Sequence, residues 1–308
     1  MTIAVYSHKD CLEHDTGSYH PECADRLLVI QKALKVCAFK DKLIFVDAPL
    51  GEEEHILLAH TKDYLQYIKD SRPSAGSAYL DGDTVMSCNS WNAVLRAAGA
   101  GCQAVDDVIQ GKYDHAFCAV RPPGHHATKN HAMGFCIFNN IAIAARYAIK
   151  NHGLNRVAII DFDVHHGNGT EDILAGDGRV LYISTHQSPL FPGTGRRSNG
   201  NILNIPLPTG TDGGQYRQIF EQIIMPAVGA AEPELILVSA GFDAHRDDPL
   251  AGMKLTEEDY QWIGGQLSMM ASKYCLGKTV SFLEGGYNLE VLGDCVTEYL
   301  SAFIKNKA

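Results

Sequence analysis

Short runs rich in Val, Ile and Leu recur at 2–6, 42–47, 116–120, 157–162, 180–184, 202–205, 235–239 and 279–283, each flanked by Gly, Pro, Asn or Asp. This pattern limits the possible folds more than any other feature of the chain, because such runs read as strands. Several are apolar at consecutive positions instead of alternating, as in Val157-Ala158-Ile159-Ile160 and Leu235-Ile236-Leu237-Val238. A strand with one wet face alternates, so a continuous run implies cover on both faces and hence a parallel sheet. Between the runs lie stretches at 24–37, 91–110, 138–151, 213–230, 256–275 and 289–305 with apolar residues three and four apart, the period of a helix packed by one face. Thr256-Glu257-Glu258-Asp259 reads as a helix start, with a Thr cap and acids facing the positive helix end. The alternation runs through the whole chain without a linker or repeat. The expected fold is therefore α/β: one domain over 1–308, with about eight mainly parallel strands flanked by helices.

The 308 residues carry 26 Lys and Arg against 36 Asp and Glu, a formal charge of −10. That balance counts against a surface that tracks nucleic-acid phosphates and leans weakly toward neutral or cationic substrates. The longest apolar runs, Leu235–Ala240 and Ile141–Ala145, fall far short of the roughly 18 residues a membrane span needs. The start, Met1-Thr2-Ile3-Ala4-Val5-Tyr6, has no basic stretch or small-residue cleavage site, so no signal peptide is expected. Nine scattered cysteines lack any C-x-x-C pair, which suits neither a disulfide frame nor a thiolate zinc site. A reducing cytoplasm is the expected compartment, and oligomeric state stays open.

Ligands of a parallel α/β sheet bind beyond the carboxyl ends of its strands. Four such segments are chemically loaded: Arg121-Pro122-Pro123-Gly124-His125-His126, Asp161-Phe162-Asp163-Val164-His165-His166-Gly167-Asn168-Gly169, Gly241-Phe242-Asp243 and Glu284-Gly285-Gly286-Tyr287. Asp163 and His165 stand two apart, so in extended chain they face one side and can share a metal. With Asp243 they would make a one-His, two-Asp site with an open position, as catalytic zinc requires, although Fe(II), Co(II) or Mn(II) would also suit. Alone, the same string is equally a capped strand end with solvated charges. His125 and His126 are either ordinary loop histidines or groups with different partners, and Asp161 has the right type to fix one imidazole's tautomer. Tyr287 is either a packed aromatic or a phenol that reaches a metal-bound carbonyl across a flexible Gly-Gly approach.

These strings, with Phe191-Pro192-Gly193-Thr194-Gly195, Ser239-Ala240-Gly241-Phe242-Asp243 and Leu283-Glu284-Gly285-Gly286-Tyr287-Asn288-Leu289, resemble the histone deacetylase family, nearest its class II and bacterial deacetylase-like branch. The resemblance runs from His20-Pro21-Glu22 to about residue 290. It implies the arginase/deacetylase fold, one catalytic Zn2+ on Asp163, His165 and Asp243, and hydrolysis of acyl-lysine amides. It implies that His126 is the general base, that His125 paired with Asp161 is its electrostatic partner, and that Tyr287 donates to the substrate carbonyl. Asn168 stands where many class I members have Asp, so His126 would be tuned differently. Gly134, Phe135 and Phe191 match tunnel positions, and Gly286 belongs to the substrate loop. Asp83 matches a rim residue or is a turn-forming Asp. Arg26 is near an acetate exit or is a helix-start charge. The main-chain carbonyls of Asp161, Asp163 and His165, with Ser184, resemble a structural potassium (K+) site.

Acetylpolyamine amidohydrolases share these motifs and are the nearest alternative, with acetylated polyamines in place of acetylated lysine. Leu250 stands where the polyamine-selective branch carries a gatekeeping Glu, and 70–90 lacks the insert of the bacterial polyamine enzymes. Two further readings are a catalytically silent acyl-lysine binder and an arginase-like ureohydrolase with two manganese ions. Asn168 and the lone Asp243 do not give the carboxylates that the second would need.

Overall fold

A computed structural model describes residues 2–305; Met1 and 306–308, included in the single-domain expectation, lie outside the described residues. Ten strands form: β1 (Ile3–Ser7), β2 (Leu43–Asp47), β3 (Ser77–Tyr79), β4 (Val85–Ser87), β5 (His115–Cys118), β6 (Val157–Asp161), β7 (Val180–Gln187), β8 (Ile202–Leu207), β9 (Leu235–Ala240) and β10 (Thr279–Leu283). Eight of them make one sheet in the order β2-β1-β5-β10-β9-β6-β7-β8, and every neighbouring pair is parallel. All eight expected runs are strands of this sheet. Its central strands β5, β6, β9 and β10 are buried along their full length, which is why their sequences do not alternate.

The six expected helices form as Asp25–Val36, Ser90–Ile109, Asn140–His152, a broken helix over 213–231, Glu257–Cys275 and Leu292–Lys305. The start at Thr256 is a reciprocal cap, with the Asp259 carboxylate accepting from both the Thr256 amide (3.0 Å) and its hydroxyl (2.9 Å). The 213–231 helix widens into a π turn at Phe220–Ile224. Pro226 lacks the N–H that would bond the carbonyl four residues back, and the wider turn accommodates that gap. The last helix begins at Leu292 instead of 289, because 284–289 is drawn into the site as a loop.

Sequence reasoning missed the β3–β4 hairpin and the helices Glu53–Ile56, Lys62–Asp70 and Asn168–Leu174. A signal existed for Lys62–Asp70: Thr61 accepts from the Tyr64 amide at 3.2 Å, and Tyr64, Leu65 and Ile68 share its buried face. Among the described residues no helix is long and apolar enough to cross a membrane. The nine cysteines are all free.

A buried ion cluster ties the segment before the first helix to the sheet. Glu22 is fully buried; its carboxylate accepts from Arg121 Nη2 at 2.8 Å, from Arg121 Nε, and from Arg26 Nη1 at 3.2 Å. Burial works to raise Glu22, but Arg121 and then Arg26 outweigh it and hold the carboxyl at about 2. Its contribution to stability is thus present above the ordinary glutamate value and is lost as pH falls toward 2. Removing one charge from a buried pair strands the others, so Glu22→Gln is expected to lower the unfolding free energy by about 3–5 kcal/mol at neutral pH. Urea unfolding measures this, and a change below about 1 kcal/mol would show the cluster to be energetically idle.

Candidate metal centre and its cavity

Beyond the carboxyl ends of β5, β10, β9, β6 and β7, which are adjacent in the sheet, the loaded loops meet. Asp163 and His165 follow β6, Asp243 follows β9, and ligand atoms from the three buried side chains lie within 4.8 Å of one another. His165 Nδ1 is 3.1 Å from Asp163 Oδ1 and 3.0 Å from Asp243 Oδ2. Main-chain amides aim the carboxylates: Val164 donates to Asp243 (2.9 Å), and His165 (2.8 Å) and Gly285 (2.7 Å) donate to Asp163. Gly241 and Gly285 are required here, since a Cβ at Gly241 would fall on the Asp163 carboxylate and one at Gly285 on both carboxylates.

Two buried carboxylates around one imidazole leave this cluster short of positive charge. Burial and the neighbouring Asp163 push Asp243 up to about 7. Burial opposes a charge on His165, but its bonds to Asp163 and Asp243 raise it to about 10. One imidazole nitrogen and two carboxylates with only main-chain donors behind them are a donor set that fits a divalent ion such as zinc.

The paired histidines have opposite surroundings. His125 Nδ1 donates to Asp161 Oδ2 at 3.0 Å, and the Tyr182 hydroxyl donates to the same oxygen at 2.9 Å. Burial lowers His125, but Asp161, Asp163 and Glu284 overcome this and raise it to about 10. His126 Nδ1 donates to the neutral amide oxygen of Asn168 at 2.8 Å, which leaves the other ring nitrogen as acceptor. Burial, then His125 and His165, hold His126 well below the usual histidine value. The surroundings thus push the two rings in opposite directions, His125 up and His126 down.

The cavity above the triad has a volume of about 220 Å³, and its walls include His126, His165, Phe135, Phe191 and Tyr287. Phe191 stands edge-on to His126 (5.2 Å, 83°), and Phe135 does the same to Tyr287 (5.9 Å, 83°). Gly134 (φ 55°) and Phe135 (φ 69°) both adopt left-handed backbone, and a Cβ on Gly134 would strike the His126 ring. Asp83 holds this bend, accepting the Gly134 amide at 3.0 Å, and lines the cavity, as does Leu250. Leu190 also lines the cavity, and sequence reasoning did not single it out.

Burial and Asp243 push the Tyr287 phenol well above 10, so it remains a proton donor. Gly286 does not line the cavity; its carbonyl turns instead to Arg26 Nε at 2.7 Å. Arg26 is fully buried and also donates to the Glu284 carbonyl (2.5 Å), with its guanidinium 5.0 Å from the Tyr287 ring. Arg26 thus lies in the first turn of the helix Asp25–Val36, but Glu22 and these carbonyls draw its charge inward, away from solvent. Glu284, also missed, accepts the amides of Gly124 (2.8 Å) and His125 (3.1 Å) and so sets the histidine loop. Ser184 sits on β7 with its hydroxyl 2.9 Å from His186 Nδ1.

A family model described as the histone deacetylase domain matches residues 20–303. The chain is 39% identical to histone deacetylase 14, chloroplastic, of Arabidopsis thaliana, over 97% of this chain and 76% of that one. It is 38% identical to type-2 histone deacetylase 2 of Dictyostelium discoideum over 99% of its own length, spanning 21% of that longer protein. The crystal structure of the HDA15 HD domain superposes with a TM-score of 0.91 at 33% identity, covering 98% of this chain and 91% of that one, which bears out the arginase/deacetylase fold. With the deacetylase domain matched over nearly its whole length, the chain belongs to the histone deacetylase family and is a hydrolase acting on amides.

Proposed function

We propose that the protein hydrolyses the amide between an acetyl or other acyl group and the side-chain amine of lysine in proteins or peptides, with one zinc ion held by Asp163, His165 and Asp243. The observation that carries this reading is the cavity itself: two phenylalanine rings line a largely apolar passage together with His126, His165 and Tyr287. Such a passage suits an uncharged chain of methylenes with one polar amide at its tip. When bound, the ion would supply Lewis acidity that polarises the carbonyl and acidifies water.

The chain's residues do the remaining work. His126, kept neutral with Asn168 on Nδ1, takes a proton from the attacking water on its free nitrogen and returns it to the departing amine. His125, held charged by Asp161, stabilises the negative charge that develops beside it. Tyr287 donates its hydroxyl to the former carbonyl oxygen. The products are a carboxylic acid and the free amine. Among the described residues no second cluster of three or more candidate ligands exists, which favours one metal over a two-metal ureohydrolase reading. Potassium would be held by the carbonyls of Asp161, Asp163 and His165 with the Ser184 hydroxyl. Leu250 in the cavity wall, in place of an acid, favours lysine over polyamine substrates.

Acetate release from an acetyl-lysine peptide, compared with N-acetylputrescine and N-acetylspermidine, tests the substrate. The peptide is expected to be turned over faster; preference for the polyamines would move the function to polyamine deacetylation. Tyr287→Phe is expected to lower kcat by about 10²–10³ with metal content unchanged, and near-normal turnover would remove Tyr287 from the mechanism. Asn168→Asp places a negative charge on His126 Nδ1 and raises its basicity, so the acidic limb of the kcat/KM profile should move up by about one pH unit or more. An unmoved limb would contradict His126 as the base.

A further inference from the structure

The turn carrying Tyr287 has no regular secondary structure, yet its main chain is gripped at several points. Arg26 takes the carbonyls of Glu284 and Gly286, and Asp163 takes the amide of Gly285. The Tyr287 amide itself donates to Asp248 Oδ2 at 2.8 Å. Asp248 belongs to no helix or strand, lines no part of the cavity and is not among the metal-ligand candidates. It is nevertheless 7% exposed, and its second oxygen accepts the Leu250 amide at 2.9 Å. Beside it the Asp247 carbonyl accepts the Asn288 side-chain amide at 2.8 Å.

A carboxylate kept largely out of water gives up hydration, and here it gains two main-chain amides, one from Tyr287 and one from a wall residue of the same cavity. Building on the deacylase reading above, we infer that Asp248 is a positioning residue: with Asp247 it clasps the Tyr287 turn to the Leu250 wall, so that the phenol stands where the carbonyl oxygen arrives. Misplacing a reacting group by about 1 Å can cost on the order of 10²-fold in rate. An Asn at 248 keeps one acceptor and turns an N–H toward one of the two amides, which opens the clasp on one side.

The test compares kcat, KM and metal content for Asp248→Asn, Tyr287→Phe and the double variant, on whichever acyl substrate the enzyme turns over. Asp248→Asn should lose about 10- to 100-fold in kcat with KM within about threefold and metal content unchanged. The double variant should be no slower than Tyr287→Phe alone, since the clasp acts only through that phenol. Multiplying losses, or near-normal kcat in Asp248→Asn, would overturn the proposal. If Asp248→Asn fails to fold, Asn288→Ala, which removes the companion bond to the Asp247 carbonyl together with the acceptor for the Glu290 amide, should lower kcat several-fold in the native background and not in Tyr287→Phe; an unchanged native kcat would overturn it. Amide hydrogen exchange over 284–288 needs no substrate: faster exchange in either clasp variant is expected, and unchanged protection contradicts the clasp. Absence of turnover by the native enzyme would strike the deacylase reading and leave the exchange result standing.

Discussion

Asp163 and Asp243 present two buried carboxylates to one small space, and most of what surrounds them follows from that. With ligand atoms within 4.8 Å of one another, two unit charges would repel by about 3–4 kcal/mol at an effective dielectric of about 20. One imidazole, placed between them by a two-residue step beyond the end of β6, offsets only part of this. Each carboxylate is fixed by main-chain amides whose geometry leaves no room for Cβ atoms at positions 241 and 285. A site so constrained against collapse is preorganised for a cation, and the parallel sheet brings its parts together at the ends of neighbouring strands.

The neighbouring groups divide the labour by environment. His125 faces a carboxylate and stays charged, whereas His126 faces a neutral amide in a dry wall and stays neutral. The charge on His125 itself adds to the burial that disfavours a charge on His126. The Tyr287 turn is set by longer connections, running from Glu22 through Arg26 to the carbonyls that flank the phenol. That chain links the stability of the segment before the first helix to the geometry of the reacting end.

Much of this was legible in the sequence because parallel strands announce themselves as continuous apolar runs and chemistry gathers at their carboxyl ends. Asp163 and His165 could be paired from spacing alone, and the resemblance to deacetylases supplied Phe135, Phe191 and Leu250, which do line the cavity. What stayed hidden depends on contacts between distant positions. Glu22 meets Arg121 across 99 residues, and Asp248 meets Tyr287 across 39, with no local pattern to signal either. The helix Asn168–Leu174 escaped because a short Asn-Gly-Thr start reads as a turn. Arg26 was ambiguous for a related reason: an arginine in the first turn of a helix is ordinarily solvated, and here it is drawn inward by Glu22 and by carbonyls some 260 residues away, at Glu284 and Gly286.

The proposed chemistry depends on a single divalent ion held by Asp163, His165 and Asp243. Elemental analysis of the purified, zinc-reconstituted protein and of Asp243→Asn, each after exhaustive dialysis and with folding checked by circular dichroism, tests it directly. One ion per native chain and close to none in the folded variant are expected. Two ions per native chain, or full occupancy in Asp243→Asn, would contradict it.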